Sequence, residues 1–140
     1  MPRLKTISLR TLLTDREKLP LRPDDRFEHL LDRFRVPFYA GRVGKGLFTL
    51  QRENLVLYLR DGVLNSLELT ASGFYQPSDL VNWCGFDIIK DNILGWCETQ
   101  GIELRLVQET EESRLWEAPS GALIAIQGDR LWNIAMSVQP

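Results

Sequence analysis

This 140-residue sequence predicts an α+β fold, a mostly antiparallel sheet with two main helices packed on it, and three observations lead there. The first is the stretch 51–70, QRENLVLYLRDGVLNSLELT, in which two runs rich in Leu, Val and Tyr flank Arg60-Asp61-Gly62. It reads as a hairpin with a three-residue loop and Gly62 in the left-handed conformation. The second is a pair of helical stripes, Phe27, Leu30, Leu31 and Phe34, then Ile89, Ile93, Trp96 and Cys97. The third is internal similarity. NLVLYLRDGVLNSLELT from Asn54 lies without a gap on GALIAIQGDRLWNIAMS from Gly121 at an offset of 67, and the helical stripes align at an offset of 66. A repeated helix, strand, strand, hairpin-strand unit over 24–70 and 88–138 accounts for this. Two unrelated stretches of that layout would align comparably, and the fold class holds for either origin.

In chain order, residues 4–13 read as a leading strand or irregular arm. Thr14-Asp15-Arg16-Glu17 matches a capping box that Pro20 limits to a turn. Asp25 and Glu28 are placed to cap the first helix, which ends before Pro37. Residues 36–39 read as a short strand, and Gly41-Arg42-Val43-Gly44-Lys45-Gly46 as a flexible connection into a strand at 47–50. In the hairpin, the three-residue loop pairs Leu59 with Val63 and Leu55 with Leu67. Leu55, Leu57, Leu59, Val63, Leu67 and Leu69 then share one face, opposite Tyr58, Ser66 and Glu68. A two-residue loop carried straight through would split these leucines between faces. Pro77-Ser78-Asp79 reads as the first turn of a short helix directing Leu80, Val81 and Cys84 inward and ending at Gly85. The second main helix starts near Ile89 and is capped by Gly101. Ile102, Leu104 and Leu106 alternate with polar residues as a strand, the run 108–113 is a solvated turn, and residues 122–126 and 131–138 flank a last hairpin loop.

Length and a 44 % hydrophobic content predict one globular domain over 1–140 with one core. No apolar run approaches the roughly 18 residues of a membrane span, and Arg3, Lys5 and Arg10 interrupt the start of the chain where a signal peptide needs an apolar stretch. The expectation is a cytoplasmic protein with Cys84 and Cys97 as free, largely buried thiols. The net charge of −2 hides a division: residues 1–45 carry +5 and residues 46–140 carry −7. Separate basic and acidic surfaces follow from it. With the balance acidic and no basic stripe interleaved with aromatics, nucleic acid is disfavoured as a partner.

The chemistry-bearing residues are sparse. His29, the one histidine, stands between Glu28 and Leu30 on a helix and reads as a surface side chain; Cys84 has neither a helix N-terminus nor a cationic cluster to activate it. One His and two Cys leave a four-ligand zinc site short of ligands, and the glycines at 41–46 have neither the Walker nor the dinucleotide spacing. No catalytic set, metal or cofactor is expected. Trp96 and Trp132 read as core, whereas Trp83 and Trp116 border polar segments and are candidate interface anchors. Glu109, Glu111 and Glu112 lie in a run with no apolar side chain and are expected on the surface.

The phrases GVLNSLEL, GFDIIKDNILGWCETQG and SGALIAIQGDRLWNIAMS, which cover most of 62–138, give a layout that resembles small bacterial immunity proteins of polymorphic and contact-dependent toxin systems. The resemblance implies a non-enzymatic inhibitor that binds a cognate toxin stoichiometrically. An acidic surface suits a basic toxin, and Glu109, Glu111, Glu112, Trp116 and Trp83 are the candidate contacts. Two alternatives stand beside this: a small enzyme or ligand-binding module with Tyr58, Cys84 or His29 lining a pocket, and an adaptor or structural subunit that forms a homodimer through a sheet edge.

Overall fold

A computed structural model describes residues 5–140, so the expected leading segment is seen without Leu4. It is built of β1 (Ile7–Ser8), α1 (Leu9–Thr14), a turn of 3-10 helix (Arg16–Lys18) and α2 (Phe27–Phe34). A four-strand meander follows: β2 (Tyr39–Gly44), β3 (Leu47–Arg52), β4 (Leu55–Arg60) and β5 (Val63–Thr70). After β6 (Val81–Asn82) and α3 (Ile93–Thr99), a second meander is formed by β7 (Arg105–Glu109), β8 (Ser113–Glu117), β9 (Leu123–Gln127) and β10 (Arg130–Ser137). The α+β class therefore holds, with four strands per half rather than the three expected.

The meanders join into one antiparallel sheet of eight strands, ordered β2-β3-β4-β5-β10-β9-β8-β7, while β1 and β6 pair in parallel as a separate two-residue ladder. One face of the large sheet presents Leu50, Leu55, Leu57, Leu59, Leu64, Leu67, Leu69, Ile124, Ile126, Ile134 and Met136 to the core. Leu9, Leu12, Leu13, Leu30, Phe34, Ile93 and Cys97 from the three helices belong to the same core. The opposite face carries Tyr58, Ser66, Glu68, Leu123, Ala125, Asn133 and Ala135, all half-buried.

The first hairpin corrects the expected register. Arg60 pairs with Val63 across a two-residue turn in which Asp61 and Gly62 both have positive φ, 52° and 83°, the type I′ geometry that matches strand twist. Leu59 then pairs with Leu64, and Tyr58 pairs with Ser66, leaving Asn65 as the extra residue of a β-bulge. The bulge restores Leu57 opposite Leu67 and Leu55 opposite Leu69. Leu64, not Val63, is thus the buried residue. The leucines reach one face through a tight turn and a bulge, instead of a longer loop.

β9 and β10 repeat this solution. Gln127 pairs with Arg130 and Leu131 with Ile126; Trp132 is the extra residue, and Asn133 pairs with Ala125. Trp132 thereby occupies the place of Asn65 and is 63 % exposed, contrary to its expected place in the core. At the seam, Ser66 pairs with Ser137, Leu67 with Met136, Glu68 with Ala135 and Leu69 with Ile134. A local two-fold axis normal to the sheet passes between Glu68 and Ala135, as in any antiparallel pair, and here it also superposes one meander's turns on the other's.

Four local expectations are corrected. Asp25 does not cap α2, whose N-cap is Arg26; it is buried, and Arg33 comes round one face of the helix to meet it. Residues 41–44 form part of β2 rather than a loop, and only Lys45 and Gly46 turn. Residues 77–84 are not helical, because Asn54 Oδ1 accepts the Ser78 N–H at 2.8 Å and Ser78 Oγ accepts the Leu80 N–H at 3.2 Å, holding 78–81 in a single turn, closed by the Val81 N–H on the Ser78 carbonyl, that leads into β6. Finally, α3 starts at Ile93 behind its cap Asn92, and Ile89 stands exposed in a turn that the Asp87 carboxylate ties to the N–H groups of Ile89 and Lys90.

Candidate functional site

The turns of the two meanders lie at opposite corners of the sheet. At the C-terminal corner, Thr110-Glu111-Glu112 links β7 to β8, and Gly128-Asp129 links β9 to β10. The Gly128 N–H donates to the Glu112 carbonyl at 2.6 Å, which fastens the two turns side by side. Glu111, Glu112 and Asp129 are exposed there without an ion-pair partner among the described residues. Glu109 is also exposed but is paired with Arg114 at 2.7 Å. Beside these turns is a hollow of about 430 Å³ whose lining includes Gln108, Ser113, Arg114, Leu115, Ala125 and Trp132. Ser113 and Ala125 contribute small side chains to its lining, and Trp132 contributes an exposed indole.

This corner gathers Glu109, Glu111 and Glu112 as expected, but with a different aromatic. Trp116 sits on the core face of β8, opposite Ile124, and lines a separate hollow of about 390 Å³ with Leu94, Glu98, Ile102, Glu103 and Leu104. Its Nε1 is buried and has no hydrogen-bond partner among the described residues. Trp83 is fixed elsewhere: its Nε1 donates to the Ser78 carbonyl at 3.0 Å in the loop flanking β6. Trp132 was missed because residue parity in a regular strand sends it inward. Its exposure depends on the bulge, and the signal available was its alignment with polar Asn65.

The residues considered for a pocket do not converge. His29 is exposed on α2, where its Nδ1 accepts the Arg26 N–H at 3.0 Å. Cys84 lies beyond β6 with a φ of 54°, its Sγ 3.5 Å from the Asn82 carbonyl and 3.6 Å from Ser8 Oγ. Tyr58 is on the open face, where its hydroxyl donates to Glu68 Oε1 at 2.9 Å while Asn133 Nδ2 donates to Glu68 Oε2 at 2.6 Å. Burial first, then the adjoining Glu68 carboxylate, pushes the Tyr58 phenol up to about 12. Cys97 is buried in the core and its thiol is pushed up to about 11 by desolvation. Neither cysteine is in a disulfide. Among the described residues, no three His, Cys, Asp or Glu side chains cluster closely enough to hold a metal ion, and no helix is long and apolar enough to cross a membrane.

Comparison with protein-family models, with curated proteins and with solved structures gave no match to this chain.

Proposed function

We propose that the chain is a non-enzymatic protein-binding domain of the immunity-protein kind, which captures a basic toxin domain at its acidic C-terminal corner. The observation that carries the reading is the joined pair of turns: three exposed carboxylates, Glu111, Glu112 and Asp129, stand on turns fastened together at the same corner as a hollow lined by the exposed Trp132. An aromatic anchor beside a charged rim is a common energetic layout of protein interfaces, and free carboxylates attract and align a cationic surface before contact. Trp132 takes the anchoring role first assigned to Trp116 and Trp83, with Glu111 and Glu112 as the steering charges and Glu109 held back by Arg114. A bacterial origin, a cytoplasmic location and descent of the two halves from one duplicated unit belong to the same reading; the bulge found at equivalent positions of both hairpins supports the duplication.

The test is co-expression with a toxin-like protein encoded beside this chain, followed by titration calorimetry and stopped-flow association on the purified pair. The substitutions Glu109→Gln, Glu111→Gln and Glu112→Gln together are expected to slow association and flatten its salt dependence, while leaving unfolding within about 0.5 kcal/mol of the parent. Trp132→Ala is expected to speed dissociation. Loss of neither rate would remove this corner from the interface, and failure to protect the host would refute the immunity reading itself.

A further inference from the structure

The two corners of the eight-stranded sheet that its internal two-fold relates carry net charges of opposite sign. The N-terminal corner, where the Lys45-Gly46 and Asp61-Gly62 turns meet through the Asp61 N–H and the Gly46 carbonyl at 2.7 Å, occupies the place of the acidic corner in the other half. Lys45 stands where the second meander has Glu111, and Gly46 where it has Glu112. Arg60 lies at the same corner. Two cations with one carboxylate, Asp61, thus oppose three carboxylates, Glu111, Glu112 and Asp129, with one guanidinium, Arg130. Lys45 and Arg60 make no ion pair among the described residues.

We propose that a second copy of this chain packs on the open face. Turned over about a two-fold axis lying between the two faces and perpendicular to the line joining the corners, the second copy sets its acidic corner on the first copy's basic corner, and its basic corner on the first copy's acidic one. Two identical electrostatic contacts close the pair, and nothing remains to propagate it. Eight strands of about 20 Å, spaced about 4.8 Å apart, offer on the order of 700–800 Å² per copy, which is the size of a standard specific interface. The centre suits coverage. Both oxygens of Glu68 already accept hydrogen bonds from Tyr58 and Asn133, and its neighbour across the seam is the small Ala135.

A face is favoured over an edge for this dimer. Both edge strands are interrupted by bulges, at Val43 in β2 and at Val107 in β7, which break the ladder a second strand would have to extend. The dimer stands independently of any foreign partner. It uses the same acidic corner, so a captured partner and the second copy exclude one another.

Sedimentation velocity and equilibrium on the full chain test this. The parent is expected to dimerise at micromolar concentration in low salt and to dissociate as salt is raised. Glu111→Lys with Glu112→Lys, and separately Lys45→Glu with Arg60→Glu, should each give monomers, and an equimolar mixture of the two variants should restore a dimer. Ala135→Trp, a bulky substitution at the centre of the face, should weaken the parent dimer at least tenfold with the fold intact by circular dichroism. A parent that stays monomeric at 200 µM in low salt would overturn the proposal. So would a dimer indifferent to the charge reversals, a mixture that fails to reassociate, or a dimer that tolerates tryptophan at 135.

Discussion

Substituting Asp25 should unfasten the start of α2 from the sheet. The residue is 3 % exposed, and its carboxylate accepts the Arg22 N–H at 2.8 Å, Arg33 Nη1 at 2.5 Å and Arg33 Nη2 at 2.7 Å. Its carbonyl accepts the Leu64 N–H at 2.7 Å, so the same residue ties the helix to the first hairpin. Asp25→Ala leaves the Arg22 N–H without its acceptor and Arg33 without its counter-ion. Breaking a buried pair from one side costs about 3–5 kcal/mol, and because Arg33 keeps some access to water the lower end, about 3 kcal/mol, applies. Asp25→Asn keeps an acceptor for the backbone and loses only the charge, a cost of about 1–2 kcal/mol.

The cost should depend on pH. Burial alone would raise the Asp25 carboxyl, but the hydrogen bonds and charge of Arg33, with the Arg22 N–H, outweigh it and hold the group below its ordinary value. A carboxyl depressed by folding binds fewer protons in the native state than in the unfolded chain. Its stabilisation is therefore complete above the unfolded value of about 3.9 and fades as pH falls through the native one. Urea unfolding of parent, Asp25→Asn and Asp25→Ala, near neutrality and at stepwise lower pH, measures both effects. A loss below about 1 kcal/mol for Asp25→Ala near neutrality would refute the reasoning, as would a gap between parent and Asp25→Asn that does not shrink in acid.

Leu59→Ala and Ile126→Ala, at equivalent buried positions of the two hairpins, should each cost about 2–5 kcal/mol in denaturant unfolding; a loss below about 0.5 kcal/mol at either would show that residue is not core. Tyr58 should ionise only near pH 12, giving a late rise in absorbance at 295 nm that Tyr58→Phe removes. Since its native value is raised, its contribution is complete below the unfolded value of about 10 and is lost as pH climbs towards 12, so a Tyr58 transition finished by pH 10.5 would contradict the hydrogen bond to Glu68. An Ellman assay near pH 8 should show one accessible thiol, absent in Cys84→Ser, with Cys97 released only on unfolding; two equally fast thiols in the folded protein would refute the burial of Cys97.

The parts legible in the sequence are those fixed by short-range periodicity. Phe27, Leu30, Leu31 and Phe34 announce α2, and the alternation of Leu55, Leu57 and Leu59 announces β4 and its buried face. The parts misread depend on partners distant in sequence. The backbone of Ser78 follows Asn54, 24 residues earlier, so Pro77-Ser78-Asp79 can mimic a helix start without being one. Asp25 resembles a cap until Arg33 is brought against it, and Arg33 carries no local sign of that role. The acidic turn was legible because a run with no apolar residue has nowhere to go but the surface. Its aromatic neighbour was not, because a single bulge reverses which way Trp132 points.

The seam between β5 and β10 also sets the order in which the chain can assemble. Within each meander, neighbouring strands are joined by connections of at most five residues, so their closure is fast. Residues 66–70 must instead wait for 133–137. During synthesis the first meander is complete as soon as Thr70 has emerged, yet its last strand then offers a row of unpaired backbone groups flanked by Leu67 and Leu69. For the time needed to make more than sixty further residues, this edge is a nascent-chain liability of the kind that chaperones shield and that neighbouring chains exploit by strand exchange. Strand β10 therefore acts as the closing step of assembly: only a chain translated through Ser137 can cover the edge that its first half leaves open.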